Sequence, residues 1–487
     1  MAAASTERVA IDAGWLVAWD GTQHVAIEGG RLVYCDGTIL FAGDPRDAAC
    51  PAADRTIDAG DRLVTPGLVN LHCIANLDAQ VFRSDANVPG VPKPLAFVRD
   101  GDARHYWDAD DLRASAEYAM ATLLKNGTTS FAMVTGGAAK LWDEHVGEPD
   151  AIADAADRFG VRAWLAHFYR EAVDAIEPDG TRTKLWDEKR AYAGLERNVA
   201  LIERLRARGN PRLTGFLFPY QAGNCSADLL RETMRQARAL GDVHIRTHIA
   251  EYADDLAASL ARTGKAPLEW LIDTGMVGPN VCLTHAIYTR DFAEVEALAQ
   301  TGTSVCHCPL VNAREGDLLA SFDRYRAAGL NLGIGTDTFP PDLIEEMRIG
   351  SLLCKVADKK RGAGSVAAFF HAATVGGATA LARPDLGRLA AGAAADICIW
   401  NISDFRHGPS DDPMRSLVHF GSGRDCDTVI VAGREVLKGG KIPGLDEAEL
   451  MHRAQIAWDK YKARLASWAG DAANHIYPSA LPMRRRL

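Results

Sequence analysis

Apolar residues recur along this chain with two different periods, and the changes of period divide it. At the start, short apolar runs alternate with Gly-bearing turns. Val9–Ile11, Trp15–Trp19, Val25–Ile27, Arg31–Tyr34 and Thr38–Phe41 are separated by Asp20-Gly21, Gly29-Gly30 and Asp36-Gly37, which predicts strands joined by tight turns. The long middle alternates instead. Strand-like runs at Thr128–Met133, Val161–Ala166 and Leu213–Leu217 sit between stretches such as Leu112–Lys125 and Ala227–Leu240, whose apolar spacing is near 3.6 residues. Repeated strand and helix over this length predicts an α/β fold, a (β/α)8 TIM-like barrel. Near Leu386 the β pattern returns, with Ala395–Trp400, Thr428–Ala432 and Glu435–Leu437. The expected organisation is a small β-sandwich built from 1–65 and 386–445, a barrel over 66–385, and a helix and tail over 446–487. Val88–Asp102, with Pro89, Gly90, Pro92 and Pro94, is a candidate loop over the barrel mouth.

Four of the predicted strands end in groups that bind metals. Val64–His72 closes on His72, Arg246-Thr247-His248 on His248, Leu283-Thr284-His285 on His285, and Gly333–Asp337 on Asp337. One ligand at each of several strand ends describes a metal site at the C-terminal mouth of a parallel barrel. Side chains alternate along a strand, so Asn70, His72 and Ile74 are expected to share a direction, as are His244, Arg246 and His248, and Gly333, Gly335 and Asp337. Imidazole and carboxylate suit one divalent ion, zinc first, with cobalt, manganese or iron as alternatives. Such an ion makes hydroxide accessible at neutral pH. Asp337 is placed to take a proton from water, and Glu251, three residues after His248, to deliver one to a leaving nitrogen. His285 is a ligand or an orienter of the water. In Cys306-His307-Cys308 the expected arrangement is two packed thiols flanking an inward His307, because no second Cys-x-x-Cys pair exists to complete a zinc knuckle.

Composition narrows the partners. A net charge of −10 and the lack of a basic run other than Arg484–Arg486 argue against nucleic acid. No apolar run approaches the ~20 residues of a membrane helix, and no Gly-x-Gly-x-x-Gly or P-loop points to a nucleotide cofactor. Ten cysteines form no disulfide-like framework, and the first residues carry no secretory pattern, so a reducing, cytoplasmic setting is expected. The expected partner is a small-molecule substrate, and a homo-oligomer is the expected assembly.

The motifs resemble the amidohydrolase superfamily, in its branch of chlorohydrolases and aminohydrolases acting on triazines and purines. Pro66–His72 resembles the end of that family's first barrel strand, and Thr247–Glu251 its His-x-x-Glu step. Cys306–Asn312 is similar to its His-Cys-Pro-x-Ser-Asn run, with Val311 in place of Ser. Gly335-Thr336-Asp337 matches its last metal-binding aspartate, and Gly387-Arg388-Leu389 with Ala395-Asp396-Ile397 resembles the return into its β-sandwich. The resemblance implies that His72, His248, His285 and Asp337 hold the metal, that Glu251, His285 and Asp337 are catalytic, and that His307 and Asn312 lie near the substrate.

Two positions depart from that pattern. The first strand of the family carries His-x-His, and here it reads His72-Cys73-Ile74. Arg246 stands where the family often has a histidine. Asn70-Leu71-His72 resembles the Asn-x-His motif of phenylurea hydrolases and molinate hydrolase, which makes Asn70 a candidate ligand and Arg246 a candidate contact to a substrate carbonyl or anion. On these grounds the first expectation is hydrolysis of a urea-, carbamate- or amide-like C–N bond. The alternative is an aminohydrolase (deaminase) or halohydrolase of a nitrogen heterocycle. The third, motivated by Ile74, is an inactive barrel kept as a binding or assembly module. Loops 76–105 and 136–147 are the expected seat of substrate specificity.

Overall fold

The computed structural model describes residues 7–78, 107–135, 147–176 and 182–469. The proposed mouth loop at 88–102, most of the loops at 76–105 and 136–147, and Arg484–Arg486 lie outside the described residues.

Two four-stranded parallel sheets form the centre of a mixed α/β architecture. One runs Leu213–Gly215, Arg162–Leu165, Thr128–Val134, Leu68–Ile74, and the other Ile245–Ile249, Val281–His285, Ser304–His307, Asn331–Ile334. Isolated parallel bridges link their edges, Cys73 to Asp337 on one side and Leu217 to Ile245 on the other. At the first edge the Ile74 amide donates to the Asp337 carbonyl at 2.9 Å and the Asp337 amide to the His72 carbonyl at 2.8 Å.

The alternation expected along these strands separates two apolar clusters. Met133, Leu165, Val281, Leu283 and Val305 pack with the helices, whereas Ala132, Trp164, Cys282 and Cys306 join an inner cluster with Phe216 and Phe218. Helix Ala109–Lys125 starts where sequence chemistry places it: Asp108 and Asp111 form a capping box around its first amides. Among the described residues no helix is long and apolar enough to cross a membrane.

The two ends of the chain meet in a second pair of sheets. The six-stranded one has the order Arg434–Leu437, Cys426–Val431, Ile397–Trp400, Leu63–Pro66, Trp15–Trp19, His24–Glu28. The four-stranded one runs Thr38–Gly43, Arg31–Cys35, Arg8–Asp12, Arg55–Asp58. Ile11, Leu16, Leu32, Val64, Ile397 and Ile430 belong to one cluster shared by both. The chain leaves this region at Gly67, between strands Leu63–Pro66 and Leu68–Ile74. A Cβ there would sit 2.2 Å from Thr129 Cγ2, so only glycine fits the crossing.

A buried ion pair joins the two regions. Arg162, at the start of a parallel strand, donates to both carboxylate oxygens of Asp396 at 2.7 and 3.0 Å, and the Ala432 amide donates to the same carboxylate at 2.8 Å. Both side chains are buried. Truncating one partner strands the other charge in the interior. Asp396→Ala is therefore expected to cost about 3–5 kcal/mol, read as a lowered urea midpoint at unchanged slope. A midpoint within error of the parent would show that the pair does not join the regions.

Candidate metal centre and active site

The site is assembled at the C-terminal ends of the parallel strands, and its backbone departs there from regular β geometry. His285, Asp337 and Ala250 have φ of +73°, +54° and +49°, left-handed values that non-glycine residues avoid. Such conformations cost on the order of 1–3 kcal/mol each and persist where the surroundings enforce them. His285 and Asp337 therefore turn out of strand alternation just as they reach the site. The strand carrying His72 is irregular as well: its register against Thr128–Val134 shifts between Asn70 and Cys73. Leu71 and Ile74 both join the inner cluster and Cys73 the outer one, so the expected shared direction of Asn70, His72 and Ile74 does not hold.

Five expected side chains come together. His72 Nε2 lies 3.1 Å from His248 Nε2 and 3.1 Å from Asp337 Oδ1. His285 Nε2 is 3.8 Å from Asp337 Oδ2 and 3.8 Å from Glu251 Oε1. One ligand atom each from His72, His248 and His285 falls within 4.8 Å of the others, and the same is true of Glu251, His285 and Asp337. Two ring positions are fixed from behind. His248 Nδ1 donates to the Tyr220 carbonyl, and His285 Nδ1 donates to Asn312 Oδ1 at 3.3 Å. Each bond leaves Nε2 unprotonated and directed at the cluster. His285 Nε2 is buried without a hydrogen-bond partner, and two imidazole Nε2 atoms face each other. His72 Nε2 meets both His248 Nε2 and Asp337 Oδ1, and this gathering of imidazole and carboxylate donors fits one divalent cation.

Electrostatics agree. Burial lowers His72 to about 4, with the charge of Arg246 adding to the effect. Burial also pushes His248 well below its ordinary value, helped by His72 and His285. Both rings are therefore neutral at neutral pH, the ligating form. For Asp337 burial pushes upward, but His72, His285 and His248 outweigh it and hold the carboxyl below the usual range. Glu251 is held at its amide, which donates to Asp255 Oδ2 at 2.8 Å, and at its carboxylate, which is hydrogen-bonded to the Tyr252 phenol.

The remaining expected residues are placed differently. Asn70 is not turned toward the cluster. Its Nδ2 donates to Thr336 Oγ1 at 2.9 Å, and its Oδ1 accepts from the Thr336 and His72 amides at 3.2 and 3.3 Å, so the amide splices the first strand to the turn before Asp337. Arg246 is fully buried. Its Nη1 donates to the carbonyls of Leu71 and Ala132 at 2.7 and 2.8 Å, and its Nη2 to that of Met133, which leaves it facing protein rather than substrate. His307 is not inward: alternation puts Cys306 and Cys308 in the inner cluster and turns His307 toward Phe322 and Asn312. Asn312, expected near substrate, stands behind His285 as its acceptor. Tyr220 and Tyr252 were not singled out by the sequence. Tyr220 acts through a backbone carbonyl, which leaves no side-chain signal, whereas an aromatic next to the His-x-x-Glu step was there to be noticed.

Comparison with known proteins places this geometry. The chain is 29% identical over 461 residues to the 5'-deoxyadenosine deaminase of Methanopyrus kandleri, covering 93% of this chain and 96% of that one. It is 30% identical over 441 residues to the 5-methylthioadenosine/S-adenosylhomocysteine deaminase of Natronomonas pharaonis, covering 88% and 92%. Among solved structures, an adenosine deaminase from Xanthomonas campestris with bound zinc superposes with a TM-score of 0.75 at 22% identity over 93% of this chain and 98% of that one, a likeness of fold. The profile of the amidohydrolase family matches residues 63–436. With that match spanning most of the chain and the metal-binding strand ends lying inside it, the chain belongs to the amidohydrolase family.

Proposed function

We propose that this amidohydrolase-type hydrolase is a metal-dependent aminohydrolase, which exchanges the exocyclic amino group of an adenine-type nucleoside for oxygen and releases ammonia. The observation that carries the reading is the convergence of two triads that share His285, His72-His248-His285 and Glu251-His285-Asp337, in a chain whose relatives, covered nearly end to end, are named as nucleoside deaminases. The two parallel sheets, bridged at both edges, read as one (β/α)8 barrel with the centre at its C-terminal mouth. The urea or carbamate reading rested on Asn70, Ile74 and Arg246. Asn70 and Arg246 are engaged with protein groups, and Ile74 packs in the inner cluster. The signature thus has a structural explanation, and deamination is the better supported of the two.

Of the chain's own groups, His72, His248, His285 and Asp337 would hold one divalent ion, zinc first. When bound, such an ion lowers the pKa of water from ~15.7 toward ~7. The Asp337 carboxylate accepts the proton of the attacking water. Glu251, oriented by Tyr252 and Asp255, gives its proton to the ring nitrogen as the C–O bond forms. The proton held by Asp337 passes to the departing amine, the C–N bond breaks to release ammonia, and the remaining hydroxyl proton of the adduct returns to Glu251. His285, held by Asn312, keeps its Nε2 between the two carboxylates.

Zinc-loaded protein is expected to release ammonia from adenosine, 5'-deoxyadenosine or 5'-methylthioadenosine, with the ultraviolet change of adenine to hypoxanthine. Release of arylamine from a phenylurea, with no ammonia from any nucleoside, would restore the urea reading. Glu251→Gln should lower turnover by roughly 10²–10⁴-fold with metal content unchanged; retained turnover would remove Glu251 from the proton path. Asn70→Ala should also keep its metal while losing about 1–3 kcal/mol of stability, because the Thr336 groups lose their partner. Loss of metal from that variant, seen by elemental analysis, would make Asn70 a ligand after all.

A further inference from the structure

Backbone hydrogen bonds tie each parallel strand only to its neighbours. Counted along the strand order and across the two edge bridges, the strand of His72 and the strand of His248 lie four positions apart in either direction. Their Nε2 atoms nevertheless approach to 3.1 Å. One side chain connects the two strands directly. Arg246 sits two residues before His248 and reaches across the interior to the Leu71 carbonyl, the peptide oxygen immediately before His72, at 2.7 Å. The same guanidinium also takes the carbonyls of Ala132 and Met133 on the strand beside it. Phe216 and Phe218 pack against it, their ring centres 4.8 and 4.7 Å from its central carbon and 5.7 Å from each other. Both its Nη groups are engaged by carbonyls that do not belong to the metal cluster.

We propose that Arg246 is a positioning residue for the metal centre, a cross-interior strut that sets the separation of the His72 and His248 strands and so the bite of the two imidazoles. The inference rests on the reading that these residues hold a metal, and it does not depend on which substrate is used. A planar fork suits this role because it meets three carbonyls from two strands at once, where an ammonium on a flexible stem cannot do so at fixed angles. A buried arginine with a merely structural role would stabilise the fold without tuning the metal.

The test compares Arg246→Met and Arg246→Lys with the parent as full-length protein. Three readouts are followed: zinc affinity by competition with a chromophoric chelator, the visible spectrum of the cobalt-substituted protein, and the melting of the metal-free form. Arg246→Met is expected to lose about tenfold or more in zinc affinity and to show altered cobalt bands, with Arg246→Lys recovering part of both. A folded Arg246→Met protein with parental zinc affinity and cobalt spectrum would overturn the proposal. Should that variant not fold, Phe216→Leu keeps every donor and removes one ring packed on the guanidinium. It is expected to weaken zinc about threefold, and an unchanged affinity there would equally overturn the proposal. A parent protein that binds neither zinc nor cobalt sinks both this inference and the proposed function. Intact metal binding without ammonia release sinks only the latter.

Discussion

The constraint on which the site depends is convergence. Imidazole nitrogens and carboxylate oxygens must be brought within a few ångströms of one another, His72 and His248 from strands that are not neighbours. The parallel sheets supply the directions, since each strand delivers its last residue to the same end. They do not supply the final approach. That comes from devices added at the strand ends: left-handed backbone at His285 and Asp337, a register shift beside His72, and the edge bonds in which the Asp337 amide donates to the His72 carbonyl and the Asp337 carbonyl accepts from the Ile74 amide. Local strain of this kind is tolerable only against a rigid background, here the two apolar clusters on opposite faces of the strands.

A layer of polar tethers behind the ligands decides which atoms they present. The Tyr220 carbonyl and the Asn312 amide each take an Nδ1 hydrogen and so select the tautomer whose Nε2 is free. Asn70 holds the turn that aims Asp337. Tyr252 and Asp255 hold Glu251 from two directions. The tethered atoms are buried, where an unpartnered polar group is costly, so each tether both orients a functional group and satisfies one.

What the sequence made legible was whatever is written in short-range pattern. Strands at Trp15–Trp19 and Thr128–Val134 and the helix at Ala227–Ala239 follow from alternation or from 3.6-residue spacing. The order of His72, His248, His285 and Asp337 follows from apolar runs that each end in a ligand. The roles of Asn70 and Arg246 were not legible in this way, because their partners are carbonyls, amides and a hydroxyl on other strands; Thr336 is 266 residues from Asn70. Parity arguments also stop where a strand bulges or ends. That is why Ile74 points otherwise than expected; at Cys306-His307-Cys308 alternation holds, but with the thiols on the inner face and His307 against Phe322.

The absent histidine at Ile74 bears on how many donors the centre needs. Zinc-like ions take four ligands, and catalytic ones keep a position for water or substrate, by leaving one site open or by expanding to five. On the reading proposed above, three imidazoles and the Asp337 carboxylate would supply four. A further imidazole at position 74 would compete with water for the fifth place, whereas Ile74 offers only an apolar surface within the inner cluster. On that reading its substitution would not empty the centre. Coordination would rest on the four converging groups, and their spacing on the backbone and on the Arg246 tie between the two histidine strands.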